Sequence, residues 1–131
     1  MKMTTEKIKQ FEKVLGQMEA FHNEIGTLSK KSQNDALNKF KLNLVNQVLI
    51  EANKILGAAY KPFPNFESFD PDQLPSNSDV VLVIAQYLEC MENLRMDNIH
   101  SKVEYTLAGK DITYWYWNDT KKETFSPKKL K

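Results

Sequence analysis

The chain has 131 residues, 41% hydrophobic and 27% charged, with a net charge of +1, a balance that fits one globular domain with a proper core. A lone cysteine, Cys90, excludes an internal disulfide and a multi-cysteine zinc site. The longest apolar run, "VVLVIA" at 80–85, is too short to cross a bilayer.

The opening "MKMTTEKIKQFEK" is charged throughout and has no signal-peptide core, so a cytoplasmic location is expected. Residues 4–29 form the first expected helix. Ile8, Phe11, Leu15, Met18, His22 and Ile25 recur by threes and fours, and Val14, Phe21 and Leu28 widen the stripe to that of a globular bundle. Gly26 is the expected stop. A second helix, 33–56, opens on a Ser32/Asp35 capping box. Its stripe of Leu37, Phe40, Leu44, Val48, Ala52 and Ile55, broadened by Val45, Leu49 and Leu56, marks a central helix ending near Gly57.

The connection at 58–77 holds prolines 62, 64, 71 and 75, which exclude a regular helix. Tyr60, Phe63, Phe66 and Phe69 recur every third residue, the repeat of polyproline II, so all four share one edge. The segment reads as a strap sealing the core with its rings, and the rival reading is an aromatic ledge offered to a partner. A third helix, 78–100, begins at the Ser76/Asp79 box with Val80, Ile84, Tyr87, Leu88, Met91 and Leu94 on one face. Its β-branched start also fits a buried strand. Arg95 falls in that apolar stripe. A buried guanidinium needs partners, and Glu67, Asp70 or Asp72 of the strap are the expected ones; an anionic ligand is the alternative.

From 102 to 117 the period becomes two, and Gly109-Lys110 fits a type II′ turn. That turn sets Leu107 opposite Ile112, Tyr105 opposite Tyr114 and Val103 opposite Tyr116, facing the core. Trp115 and Trp117 then lie outside with Thr113 and Glu104, as an aromatic binding face. Residues 118–131 read as a polar tail, with Phe125 docking it.

The expected fold is therefore mainly α within an α+β class: a three-helix bundle, a proline-rich strap and a C-terminal β-hairpin. The expected function is a small protein-interaction module of adaptor, immunity or inhibitor type. It binds a protein or a twin copy through Trp115, Trp117, Thr113 and Glu104, with Tyr60, Phe63, Phe66, Phe69 and Arg95 anchoring the strap. A hairpin with an open edge makes a homodimer a natural outcome. The alternative is a non-sequence-specific nucleic-acid binder, with lysines on phosphates and indoles stacked on bases. Against it, only one of the eighteen basic residues is arginine, the side chain suited to forked phosphate and guanine contacts. A metal-dependent enzyme on Glu19/His22 and Asp97/His100 is the third reading, short of the ligands a carboxylate-bridged pair of metals requires. Nucleophile elbows and phosphate-cradling loops are missing, Cys90 sits among apolar residues, and Glu89/Glu92 read as a solvated pair. No motif calls for a cofactor.

Overall fold

The computed structural model describes residues 2–128. Three helices, α1 (Thr5–Lys31), α2 (Lys39–Tyr60) and α3 (Asn77–Met96), precede a sheet of β1 (Ile99–Tyr105), β2 (Asp111–Trp117) and the short β3 (Glu123–Thr124). The sheet is antiparallel, in the order β1-β2-β3. This is the α+β arrangement with a C-terminal hairpin that the periodicities imply.

Phe11, Val14, Met18 and Ile25 of α1, Leu42, Val45, Leu49, Ala52 and Leu56 of α2, and Val80, Ile84, Tyr87, Met91 and Leu94 of α3 form the core. The α1 stripe is as expected, but the helix runs through Gly26 to Lys31. In α2 the stripe turns away from Phe40 and Leu44, which face solvent. The helix is apolar over about half its girth, so sequence spacing alone does not select which arc meets its neighbours.

The start of α2 also differs from the capping-box expectation. Asn38, not Ser32, caps it by accepting from the Lys41 amide at 3.0 Å. Residues 33–37 are instead laced to the start of α3. Leu37 N–H donates to the Pro75 carbonyl (3.0 Å), Asn77 N–H to Asp35 (2.9 Å) and Ser78 N–H to Gln33 (3.1 Å). Backbone groups satisfied there have no need of a helix. The Ser76/Asp79 capping box is formed in full. Gly57, at φ +62°, breaks α2 one turn before its end, a conformation suited to glycine.

Residues 58–60, expected in the strap, end α2 instead. The strap then crosses α2 and α3 with Phe63, Phe66 and Phe69, beside Tyr60 of the helix, half-buried on the core. Phe66 stands edge-on to Phe63 and Phe69, at 6.1 and 5.2 Å between centroids. Two asparagines one heptad apart on α2 hold its backbone. Asn46 both donates to the Phe69 carbonyl and accepts from the Phe69 amide, each at 2.9 Å. Asn53 donates to the Glu67 carbonyl (2.9 Å) and accepts from the Tyr87 hydroxyl (2.7 Å). Asn46→Ala leaves two strap backbone groups unpaired. We expect a loss of about 1–3 kcal/mol in denaturant unfolding and faster hydrogen exchange at the Phe69 amide.

Arg95 does not reach the strap. Its guanidinium, buried in α3, spends all five N–H donors elsewhere. Two go to the Glu92 carboxylate (2.7 and 2.6 Å), one to Thr124 Oγ1 (3.1 Å), and two to the Phe125 and Ser126 carbonyls (2.7 and 2.9 Å). Glu92, expected on the surface, is buried and also accepts from the Lys128 amide at 2.7 Å. The element pinned by Arg95 is therefore the C-terminal tail. The Phe125 ring stays largely exposed, with the Arg95 guanidinium 5.9 Å from its centroid.

Candidate functional site

The hairpin is where sequence and structure diverge most. β1 begins at Ile99, within the stretch expected to close helix 3, and pairs Ile99 with Trp117, Ser101 with Trp115, Val103 with Thr113 and Tyr105 with Asp111. The turn explains the difference. Thr106 N–H donates to the Lys110 carbonyl (3.2 Å) and Gly109 N–H to the Thr106 carbonyl (3.1 Å), with Gly109 at φ +78°. That is a three-residue loop whose last residue is left-handed, in place of a two-residue turn. The register moves by three positions, and an odd shift exchanges the faces of a strand.

The indoles consequently point inward. Trp117 is 0% exposed, with its ring edge-on to Phe11 at 5.4 Å, and Trp115 is half-buried against the core. Trp117 is thus removed from the expected binding face. Thr113 shares the indoles' side of the ribbon but is exposed, whereas Glu104 lies on the other side, opposite Ile112. The four residues expected to act together do not share a surface.

The outer face carries His100, Lys102 and Glu104 from β1 with Tyr116, Tyr114 and Ile112 from β2. His100 Nδ1 lies 2.7 Å from Asn118 Oδ1, and its ring is 6.1 Å from that of Tyr116. Lys102 Nζ sits 5.9 Å from the Tyr116 centroid. Partial burial first, then the Glu123 and Glu104 carboxylates, push the Tyr116 phenol above its usual range.

Beyond these residues the ribbon leaves the body. Residues 101–105 and 107–113 are exposed on both faces. Tyr105 is 81% exposed and Leu107 completely so, with Val103 and Ile112 also in water. The hairpin is rooted by Ile99 and Trp117 and free at its tip. Sequence reasoning missed this arm because Tyr114-Trp115-Tyr116-Trp117 is aromatic on both alternations. The larger area of indole was the usable signal.

The Glu-x-x-His and Asp-x-x-His pairs are not brought together. Glu19 faces Lys128 Nζ at 3.4 Å, and Asp97 accepts from the Tyr60 hydroxyl at 2.6 Å. Among the described residues no three of His, Cys, Asp and Glu stand together as metal ligands. Burial raises the Cys90 thiol above its ordinary value, the setting of an unreactive packing residue. No described helix is long and apolar enough to cross a membrane. No protein-family model, curated protein or solved structure matches this chain.

Proposed function

We propose that this chain is a cytoplasmic protein-interaction module, of adaptor, immunity or inhibitor type, that engages protein through its projecting hairpin arm. The observation supporting it most is the distal half of the ribbon, where Val103, Tyr105, Leu107 and Ile112 stand in water. Burying an apolar side chain stabilises by roughly 1.5–3 kcal/mol, so each of these is free energy left for a partner to recover. Tyrosine at an exposed tip suits the centre of an interface. The buried Trp117 root and the Arg95-clamped tail give the arm a rigid base, which lowers the ordering cost of binding.

The test is co-purification of the tagged full chain from its native host, with Tyr105→Ser plus Leu107→Ser as the comparison. Both side chains are solvated, so stability should change by less than about 1 kcal/mol. Retention of the wild-type partner should fall about tenfold or more, as for loss of a central contact. Equal retention by both proteins excludes the tip as the binding surface.

Nucleic acid is the second reading, supported by the Lys102–Tyr116 contact beside His100 and Tyr114 on the outer face, a small basic and aromatic platform. It requires retention of single-stranded oligonucleotides at low salt that collapses as salt rises. No retention at low salt eliminates it.

A further inference from the structure

We infer that the free edge of β1 pairs with the same edge of a second copy of this chain, antiparallel and centred on Val103. The inference rests on reading the arm as a binding surface and names the partner for one side of it.

The ladder bonds give the direction of the backbone groups. Thr106 N–H donates to Lys110, and Asn118 N–H donates to the Asn98 carbonyl at 2.9 Å. Even-numbered residues along β1 therefore turn their backbone toward β2, and alternate residues turn away. Trp117 obeys the same rule on the far edge, donating to the Lys122 carbonyl at 2.8 Å. Ser101, Val103 and Tyr105 thus present N–H and C=O groups to an edge that no other described strand covers.

A two-fold pairing satisfies these groups only when odd-numbered residues oppose odd-numbered ones, so the centre falls on one residue of the strand. Centring on Lys102 sets two lysines face to face, and centring on Glu104 sets two glutamates. Like charges at that separation repel. Centring on Ser101 puts Tyr105 opposite Asp97 of the second copy, beyond the start of its strand. Centring on Val103 places Lys102 opposite Glu104 of the second copy, twice by symmetry. It also sets Val103 against its twin and Ser101 against Tyr105. A lysine on an open edge ordinarily guards it against pairing. Here the chain's own edge carries an acid at the matching position. The product is a continuous six-stranded sheet with the two bodies at its ends.

Sedimentation equilibrium of the full chain tests this. The wild type should dimerise. Glu104→Lys should weaken the dimer about tenfold or more, since two cross-strand pairs turn repulsive. Adding Lys102→Glu exchanges the charges and should restore affinity to within about threefold. Val103→Pro removes an outward N–H that bonds nothing within one copy, so it should leave the circular dichroism unchanged and abolish the dimer. A wild type that stays monomeric overturns the inference, as does a dimer indifferent to both charge variants. Neither result bears on capture of a different protein by the tip, which co-purification with the Tyr105→Ser plus Leu107→Ser protein reads separately.

Discussion

Trp117→Ala should lower the unfolding free energy by about 3–5 kcal/mol, the range for emptying a buried aromatic site. That is a large part of the total stability of a domain this size. The side chain is completely buried and meets Phe11 edge-on, so its removal opens a cavity between α1 and the root of the hairpin. The indole Nε1 has no hydrogen-bond partner among the described residues. Area, not a polar contact, is therefore what the residue contributes. Trp117→Phe keeps a ring against Phe11 and discards the unpaired N–H, and should cost under about 2 kcal/mol. Urea titration of the three proteins checks the order wild type, phenylalanine, alanine. An alanine variant as stable as wild type would mean that the hairpin root is not part of the core.

Arg95→Met should be nearly as severe, about 3–5 kcal/mol, because it strands the buried Glu92 carboxylate without its counter-charge. The same change frees the acceptors at Thr124, Phe125 and Ser126, so the tail should detach and its amides exchange quickly. Arg95→Lys does not rescue, since one ammonium lacks the planar fork that meets five acceptors. Pairing Arg95→Met with Glu92→Leu should recover most of the stability while leaving the tail loose, as buried ion pairs replaced by packed apolar groups often do. Recovery of tail protection in that double variant would show that the clamp is not what holds it.

Both effects come from residues whose importance was only partly visible in the sequence. Arg95 stood out as a charge in an apolar stripe, and the need for partners followed from desolvation. Those partners were hidden because three of the five acceptors lie in the tail, and two of them are main-chain carbonyls. Glu92, three residues upstream on α3, stands at the spacing of an i,i+3 pair but reads as a solvated residue beside Glu89. Its burial depends on the returning tail, which local spacing does not encode. The strap was legible in part: the prolines excluded an α-helix, and the aromatic repeat marked a row of rings against the core. A turn closed by Phe66 N–H on the Phe63 carbonyl and a 3-10 turn over Pro71–Gln73 replace the expected polyproline II run. Asn46 and Asn53 were not legible, since polar residues on a central helix carry no mark of the backbone they will bind.

The hairpin was legible in kind and not in register. Alternation and Gly109 both point to a ribbon with a tight turn, and Gly109 does take a left-handed conformation. Two- and three-residue loops both accommodate that glycine. Which was used depends on the payoff for burying Trp117, a tertiary quantity. Absorbing Ile99 and His100 into helix 3 removed the strand residues whose pairing discriminates the two.

Interstrand Hα–Hα nuclear Overhauser contacts in the isolated chain decide the register, because residues facing each other without mutual hydrogen bonds bring their Cα atoms to about 4.5 Å. Cross-peaks should join Ser101 to Trp115 and Val103 to Thr113, the pairing that sinks the indoles, turns Tyr114 and Tyr116 to the opposite face and leaves the tip in water. Cross-peaks joining Tyr105 to Tyr114 and Val103 to Tyr116 would put the indoles outside and move the binding surface to the opposite face of the arm.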